Sequence, residues 1–425
     1  MLDLKLIRLE PDRVRAGLRK RGFAEGDAVV TEILTIDEGR RVAIGEADNL
    51  KARRNEVSRE IGQAKRSGAD AGEKIAEMQE VGRRIAELDE DVSRGESRIL
   101  ELLLETPNLP LEEVPEGGEE ANEVVRSWGE PRTFDFEPRP HWELGETLGI
   151  FELPRGAKVS GSGFPVLRGA GARLQRTLID FMLDLHTRDH GYTEVRVPYL
   201  VTGESMTGTG QLPKFEEESY RVERDDLWLI PTAEVPVTNL HRDEILRPEQ
   251  LPMRYTAYSP CFRREAGAAG ADTRGLLRVH QFDKVELVRY ETPERSREAL
   301  ETLTGQAEKV LQLFDLPYRV LNLATGDLGF SSRMTYDLEV WAPGVQRWLE
   351  VSSCSTFGDY QARRGNLRFR PVGGGKPDFV HTLNGSALAL PRLMVALLEN
   401  YQTADGSIRF PEALHAHLGL DALTT

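Results

Sequence analysis

Hydrophobic positions in the first quarter of the chain recur at alternating intervals of three and four residues. Two such series run over residues 36–64 and 78–102, and the segment KRSGADAG at 65–72 separates them. This spacing places one apolar stripe along a helix, and two such helices joined by a short turn pack against each other. The pattern therefore predicts an antiparallel coiled-coil arm over about residues 30–106, preceded by a short helix within residues 1–27.

After residue 106 the long periodicity gives way to short runs. Residues 106–132 are rich in proline, glycine and glutamate, which end helices, so we expect a linker over 111–135. This linker would separate an N-terminal domain, residues 1–110, from a second domain, residues 136–425. In the second domain, one-sided apolar patterns predict helices at 168–190 and 293–314. Alternation of apolar and polar residues predicts strands at 191–201, 227–230, 335–341 and 347–355. The predicted fold class is α+β, with an antiparallel sheet flanked by helices.

One segment of the second domain combines two predicted strands with a glycine-rich loop: YSPCFRREAGAAGADTRGLLRVHQFDKVELV, residues 258–288. Strands joined by a long loop form a platform on which polar side chains can meet a ligand. The candidate groups are Arg263 and Arg278 for phosphate, Glu265 and Glu286 for amines and hydroxyls, and Phe282 for stacking on a base.

This segment resembles motif 2 of the class II aminoacyl-tRNA synthetases, Phe-Arg-x-Glu, loop, Arg-x-x-x-Phe, and HQFDKVE resembles the seryl-tRNA synthetase version. Three further segments agree in the same order: PTAEVP at 231–236, EVSSCSTFGDYQARR at 350–364 and TLNGSALALPRLMVALLENYQ at 382–402. The resemblance is to the bacterial type of the family and covers essentially the whole chain. It implies ATP-dependent activation of L-serine to seryl-adenylate, and transfer to the 3' end of tRNA(Ser). Whether tRNA(Sec) is a second substrate stays open.

The resemblance also implies an ATP site. Its residues would be Arg263, Arg264, Glu265, Arg278, Val279, Phe282, Glu350, Val351, Ser352, Ser353 and Arg392, with Arg263, Glu350 and Arg392 catalytic. Arg263 would bridge the serine carboxylate and the α-phosphate, while Arg278 and Arg392 would hold the outer phosphates. Phe282 and Arg392 would enclose the adenine, and Glu265 would orient its amino group. Bringing two anions together requires positive charge above all.

A serine pocket follows from the same resemblance, with Thr232, Ala233, Glu234, Arg263, Glu286, Asn384 and Ser386 as its residues. Glu286 and Ser386 would bracket the serine hydroxyl, and Thr232 and Glu234 would hold the ammonium group. The local sequence by itself favours a simple capping pair, with Thr232 as the N-cap and Glu234 in the first helical turn.

The family places Mg²⁺ on Glu350 and Ser353. In a regular strand Glu350 and Ser352 would share one face and Ser353 the other, unless a bulge redirects the chain. The geometry of this metal site therefore depends on a local irregularity that the alternation pattern cannot decide.

Composition is typical of a soluble protein: 425 residues, 39% hydrophobic and 29% charged. The first residues lack the apolar core of a secretion signal, and no apolar run is long enough for a membrane span. Two cysteines, Cys261 and Cys354, form neither a disulfide framework nor a zinc site, so we expect buried thiols and a cytoplasmic protein.

A net charge of −15 argues against RNA binding, but the arm carries a basic set. Its members are Lys51, Arg53, Arg54, Arg59, Lys65 and Arg66. From charge alone a solvated helix face is as good an explanation. The resemblance favours tRNA binding through shape and phosphate contacts.

Other interpretations stay open at this point. The helix, strand and proline over 168–198 resemble motif 1, which implies a homodimer, although any αβ unit could produce this pattern. The coiled coil could be a spacer or a dimerisation element. The chain could also be a ligase that loads an amino acid onto a carrier protein, whose relatives lack the long arm, or a non-catalytic paralogue, which should have lost Arg263, Glu286 or Arg392.

Overall fold

The computed structural model describes residues 1–68, 70–266 and 274–424. The chain divides into two compact units. One unit contains residues 2–19 and 23–107, and the other contains residue 1, residues 20–22 and the chain from Asn108 onward. None of the helices in these described residues has the length and apolar character needed to span a membrane.

The first unit consists of helices. They are α1 Leu4–Leu9, α2 Pro11–Lys20, α3 Gly26–Ser67 and α4 Gly72–Glu105. The predicted arm is confirmed as α3 and α4. In place of one short helix the structure has α1 and α2, because Pro11 lacks the backbone N–H that a continuous helix would need there.

Ion pairs across the arm show that α3 and α4 run antiparallel. Three of them are Glu32–Arg98, Glu46–Arg84 and Glu60–Lys74, so the residue number of the α4 partner falls as that of the α3 partner rises. Between the helices Ala43, Ala47 and Leu88 are buried, and small alanines allow the helices to approach closely. Arg54, although in phase with the apolar stripe, is exposed.

The strands of the described residues all lie in the second unit. They are β1 Glu123–Trp128, β2 Thr193–Glu194, β3 Leu200–Thr202, β4 Arg221–Val222, β5 Leu227–Leu229, β6 Ile245–Leu246, β7 Met253–Phe262, β8 Gln281–Glu291, β9 Tyr318–Asn322, β10 Met334–Ala342, β11 Arg347–Gly358, β12 Arg368–Phe369, β13 Asp378–Phe379, β14 His381–Ala389, β15 Ile408–Arg409 and β16 Ala422–Leu423. Its α-helices are α5 His141–Thr147, α6 Leu153–Ser160, α7 Ala170–Arg188, α8 Gly203–Thr209, α9 Glu234–Thr238, α10 Ser296–Leu313, α11 Tyr360–Arg364, α12 Leu390–Asn400 and α13 Glu412–Leu418.

Eight strands form the main sheet in the order β1-β9-β10-β11-β14-β8-β7-β2. Every neighbouring pair is antiparallel except β2 and β7, so the predicted sheet type is confirmed. Helix α10 packs on β11 and β14 with its apolar face, including Leu300, Leu303 and Val310, fully buried. The long central strands β7, β8, β11 and β14 carry parts of three of the four segments that the sequence singles out, and the fourth, residues 231–236, leads into α9.

Two expectations need correction. The segment 111–135 contains β1, which pairs with β9 at the edge of the main sheet, so it is more than a connector. The strand predicted over 191–201 is reduced to β2 in the main sheet and β3 in a separate three-stranded sheet with β5 and β4. Pro198 lies between them, and a proline cannot donate the backbone hydrogen bond that a continuous ladder requires.

Both cysteines are free and buried, as expected. Burial raises the pKa of the Cys354 thiol to about 12, and burial likewise raises the pKa of the Cys261 thiol. Neither side chain is therefore a reactive thiolate at neutral pH.

Candidate active site

A cavity of about 580 Å³ lies over the central strands of the main sheet. Its wall includes most of the predicted site residues: Thr232, Glu234, Arg263, Glu265, Arg278, Val279, Phe282, Glu350, Val351, Ser353, Asn384, Ser386 and Arg392. Four predicted residues do not contribute to its wall: Ala233, Arg264, Glu286 and Ser352. Segments far apart in the sequence thus meet at one place, which the linear pattern alone could not establish.

A β-bulge in β11 decides the orientation of Glu350. Across the ladder with β10, Ser352 is opposite Leu338 and Glu350 is opposite Glu339, so Val351 is an extra residue. This insertion brings Glu350 onto the cavity side that Ser353 also occupies, while the Ser352 hydroxyl is buried and donates to the Ser386 carbonyl at 2.5 Å. The bulge is the irregularity on which the proposed metal site depends.

At one part of the cavity the charged groups remain accessible. We call this the guanidinium end, and it comprises Arg263, Arg278, Phe282, Glu350 and Arg392. The Arg263 guanidinium lies 5.1 Å from the centre of the Phe282 ring, within cation–π distance. Arg278 contacts the carboxylate of Glu265 at 3.3 Å. The side chains of Arg263 and Arg278 are exposed, so both have donors left for a ligand.

Arg392, near the start of α12, makes two hydrogen bonds to Glu350. Its Nη1 donates to the Glu350 carbonyl at 2.7 Å and to the Glu350 carboxylate at 3.1 Å. Desolvation acts to raise the pKa of Glu350, but the charge and hydrogen bond of Arg392, together with the charges of Arg263 and Lys284, outweigh it and hold that pKa below its usual value. Glu350 is therefore an ionised carboxylate at neutral pH, with 45% of its side chain exposed.

The other part of the cavity is enclosed. We call it the buried end, and it comprises Thr232, Glu234, Lys284, Glu286, Asn384 and Ser386. Thr232 donates its hydroxyl to Glu286 at 3.1 Å. The amide nitrogen of Asn384 lies 3.0 Å from both Glu234 and Glu286. Glu286 is fully buried beneath the wall, where it also forms an ion pair with Lys284.

Glu234 has the most perturbed carboxylate of the buried end. Burial, with a further contribution from the negative charge of Glu286, raises its pKa to about 7. Gln361 donates to Glu234 at 2.6 Å and in turn accepts from the Thr382 hydroxyl at 2.7 Å. A carboxylate of this kind is ready to ionise when a cation arrives next to it.

Sequence reasoning gave Thr232 the wrong cap position. Ala233 is the N-cap of α9, and it makes no side-chain cap hydrogen bond. Thr232 lies one residue earlier, where its hydroxyl oxygen still accepts from the Glu234 N–H at 3.2 Å. The same hydroxyl thus supports the helix start and reaches Glu286.

Lys284 and Gln361 were missed by sequence reasoning. Lys284 lies two residues before Glu286 in β8, and side chains two apart in a strand share a face, so that spacing was a usable signal. Lys284 also donates to the Ser386 hydroxyl at 3.1 Å. Gln361 gave no comparable signal, because it reaches Glu234 only through the packing of α11 against the sheet.

The basic residues of the arm differ in their contacts. Lys51 pairs with Asp89 at 2.8 Å and Arg53 with Glu77 at 2.5 Å, both across the two helices. Arg59 donates to the Asn55 carbonyl of its own helix, at 3.3 Å. Within the described residues, Arg54, Lys65 and Arg66 are exposed and form no ion pair.

Known proteins that resemble this chain match it along nearly its whole length. The model of the seryl-tRNA synthetase N-terminal domain matches residues 1–110, and the model of the tRNA synthetase class II core domain (G, H, P, S and T) matches residues 215–401. A serine–tRNA ligase of Gemmatimonas aurantiaca is 57% identical over 420 residues, 99% of each chain. One of Thermomicrobium roseum is 55% identical over 99% of this chain and 94% of its own.

Solved structures of seryl-tRNA synthetases are also similar to this chain over its whole length. The structure of seryl-tRNA synthetase from Pyrococcus horikoshii complexed with ATP is 40% identical, with a TM-score of 0.96, over 100% of this chain and 99% of that one. The cytoplasmic serine–tRNA ligase of Naegleria fowleri in complex with AMP is 30% identical, with a TM-score of 0.90, over 100% of this chain and 99% of its own. The chain belongs to the seryl-tRNA synthetase family of the class II aminoacyl-tRNA synthetases.

Proposed function

We propose that this protein ligates L-serine to the 3' end of tRNA(Ser) in two steps, through seryl-adenylate formed from ATP. The observation that carries the proposal is the division of one cavity into a buried end and a guanidinium end. A small amino acid in the first and a nucleotide in the second would lie end to end. Their reacting groups, a carboxylate and the α-phosphate, would meet beside Arg263.

The buried end has the groups that serine needs. Glu234 and Thr232 would receive the ammonium group, while Glu286 and Ser386 would bracket the hydroxyl. Because these polar groups are buried, an amino acid without a hydroxyl would leave some of them unpaired. Such sites reject the smaller analogue by roughly 10⁴-fold or more, so alanine should be a very poor substrate.

The guanidinium end has the groups that ATP needs. Attack of the serine carboxylate on the α-phosphorus brings two anions together, and Arg263 would lie between them. Arg278 and Arg392 would hold the outer phosphates, and Phe282 would stack on the adenine. Positioning and charge stabilisation dominate such phosphoryl chemistry, and no nucleophilic side chain is required.

The donor set at Glu350 and Ser353 fits Mg²⁺. One carboxylate and one hydroxyl on the same side of the cavity are hard oxygen ligands, and Mg²⁺ typically takes its remaining ligands from water and substrate phosphates. When bound, the ion neutralises phosphate charge. Glu350 would keep its carboxylate available for this purpose because Arg392 stabilises the ionised form.

The arm would bind tRNA, and two copies of the chain would form a homodimer. The accessible basic residues of α3 support phosphate contacts, which are largely independent of sequence. A carrier-protein ligase is the weaker alternative, because the match to the seryl-tRNA synthetase N-terminal domain spans the arm that such relatives lack.

Serine-dependent exchange of pyrophosphate into ATP tests the first step, with serine, threonine, alanine and glycine assayed side by side. We expect strong exchange with serine only. Aminoacylation of tRNA(Ser) and tRNA(Sec) transcripts tests the second step, and sedimentation velocity tests the dimer. Exchange with none of the twenty amino acids would contradict the proposal.

A further inference from the structure

A fully buried histidine outside the cavity contacts the loop that contributes to its wall. His141, the first residue of α5, is 0% exposed. Its Nδ1 lies 2.8 Å from a carboxylate oxygen of Glu399, and its Nε2 lies 3.0 Å from the backbone nitrogen of Leu276. Leu276 belongs to the segment that returns from the loop between β7 and β8.

The two contacts fix the protonation of the ring. The Leu276 N–H can only donate, so Nε2 must accept and carry no proton. Nδ1 therefore carries the hydrogen and donates it to Glu399, which as a carboxylate accepts. Glu399 is itself held by the backbone N–H groups of Gly344 at 2.8 Å and Val345 at 3.1 Å. The ring is thus oriented from one side and presents an acceptor on the other.

The segment that His141 holds is part of the wall at the guanidinium end of the cavity. Leu276, Leu277, Arg278 and Val279 are consecutive residues of its wall. Leu277 accepts from Nε of Arg392 at 3.4 Å, so two successive residues of the returning segment are anchored, one by His141 and one by Arg392. Arg392 and Glu399 lie on the same helix, α12, which therefore connects both anchors.

Gly275 shows how closely the ring approaches this segment. A Cβ added to Gly275 would lie 2.1 Å from Nε2 of His141, and the backbone φ of +71° is one that side chains rarely adopt. Immediately before it, the guanidinium of Arg274 lies 4.6 Å from the centre of the Trp142 ring. The residues at the start of α5 thus contact three consecutive residues of the returning segment.

We propose that His141, oriented by Glu399, is a positioning residue that holds the returning segment, and with it Arg278, in place for ATP. The inference rests on the proposed function in that this end of the cavity binds ATP. It assigns to His141 an effect on the nucleotide and none on the amino acid, since His141 has no contact with any residue of the buried end. A residue that served only general stability would affect both substrates alike.

Two substitutions separate the contacts of the ring. His141→Asn keeps an N–H that can donate to Glu399 but is too short to reach Leu276. His141→Gln places an amide oxygen near the position of Nε2 and can still accept from Leu276. We expect His141→Asn to raise the KM for ATP roughly 10-fold in the exchange assay, the scale of one lost buried hydrogen bond. The KM for serine should change less than about twofold, and His141→Gln should return the KM for ATP to within roughly threefold of the unsubstituted protein.

His415→Asn is the matched control. Nε2 of His415 contacts the backbone carbonyl of Phe410 at 2.8 Å, so the same substitution removes a comparable hydrogen bond. His415 is not a residue of the cavity wall, and we expect this variant to leave the ratio of the two KM values unchanged. Equal increases in both KM values for His141→Asn would overturn the positioning role.

Hydrogen–deuterium exchange resolved at the Leu276 amide tests the contact without any catalytic readout. The amide should be protected in the unsubstituted protein and in His141→Gln, and it should exchange at least roughly 10-fold faster in His141→Asn. Unchanged protection in His141→Asn would overturn the inference. If the unsubstituted protein exchanges no pyrophosphate, the proposed function fails, and the amide measurement still decides whether His141 holds the loop.

Discussion

The charged groups at the two ends of the cavity differ in whether they are paired within the protein or exposed. At the buried end, Lys284, Glu286 and Asn384 are already joined to one another by hydrogen bonds and an ion pair before any ligand arrives. At the guanidinium end, Arg263 and Arg278 are exposed, and the Arg263 guanidinium lies over the ring of Phe282. The buried end is a preorganised binding site for a small zwitterion. The guanidinium end is a set of hydrogen-bond donors that remain available for phosphates.

The difference shows how selectivity and catalysis can be separated within one cavity. Polar groups that satisfy one another in a dry site penalise any ligand that cannot replace those bonds, which favours selectivity. Guanidinium groups that keep donors available can stabilise negative charge where it develops during the reaction, which favours rate. Substitutions at the two ends should therefore fail in different ways.

The largest effect should come from Arg263→Ala. Arg263 would bridge the two anions that react, so its loss removes charge stabilisation that is greatest in the transition state. We expect serine-dependent exchange to fall by roughly 10³-fold, mostly in kcat. Steady-state exchange kinetics measure it.

Arg224→Ala serves as the control for Arg263→Ala. Arg224 is an exposed arginine outside the cavity wall, so its loss should leave exchange within about twofold of the unsubstituted protein. A similar loss of exchange in both variants would show that net positive charge, rather than the location of Arg263, supports the reaction.

The second-largest effect should be on the free energy of unfolding, after a substitution at the buried end. Lys284→Met leaves Glu286 as a buried charge without its cation, which typically costs about 3–5 kcal/mol of unfolding free energy. All five tryptophans lie beyond residue 108, so urea unfolding followed by tryptophan fluorescence reports on the second unit alone.

The double variant Lys284→Met/Glu286→Gln removes the uncompensated charge as well. It should regain much of the lost stability, although it should not activate serine. If the double variant is no more stable than Lys284→Met, the ion pair is not the cause of the loss, and the two ends of the cavity differ less than we propose.

The sequence predicted the guanidinium end better than the buried end. Arg263, Arg278 and Arg392 occur in recognisable segments, and their chemistry is clear from residue type alone. Lys284 and Gln361 act through neighbours, so their roles depend on register and packing that a linear pattern does not contain. Glu350 is an intermediate case: its chemistry was foreseen, but only the bulge at Val351 shows that it shares a side of the cavity with Ser353.

Some elements of the fold could likewise be predicted from the sequence, and others could not. The coiled-coil arm was predictable, because a repeat over tens of residues averages out local exceptions such as Arg54. The strand at 191–201 was not, because alternation over a few residues says nothing about which sheet a strand joins. Pro198 was the local signal that one strand would become two short ones.

The third effect is a pH dependence of serine binding. The pKa of Glu234 is about 7 in the folded protein, so below pH 7 the carboxyl is mostly protonated and must lose its proton to pair with the serine ammonium group. Serine affinity should fall by up to about tenfold per pH unit below 7. Calorimetry in buffers of different ionisation enthalpy should show one proton released at pH 6 and almost none at pH 8.5. In Glu234→Gln the proton release should vanish, whereas its persistence would assign it to another group.

The same group has a consequence for stability with a defined sign. Its pKa in the folded state is raised from 4.5 to about 7, so between these values the folded protein keeps a proton that the unfolded chain releases. This contribution therefore falls by roughly 3 kcal/mol as pH rises from 4.5 to 7, and it is constant above pH 7. Urea titrations across this window should show a smaller decline for Glu234→Gln. An identical decline in both proteins would contradict the raised pKa.

The smallest effect extends the comparison to the arm, where accessible and partnered charges also occur side by side. Arg54, Lys65 and Arg66 form no ion pair within the described residues, whereas Lys51 is paired with Asp89. If accessible charges are the ones that meet phosphate, the triple alanine variant of the first three should raise the KM for tRNA(Ser) roughly threefold to tenfold. Its salt dependence should weaken by roughly one unit of slope per lost contact. Lys51→Ala should have a smaller effect, because the Lys51 ammonium group is already paired with Asp89 and is less available to a phosphate. Pyrophosphate exchange should not change in either variant. If Lys51→Ala raised the KM for tRNA(Ser) as much as the loss of each accessible residue does, ion pairing within the arm would not decide which charges bind tRNA.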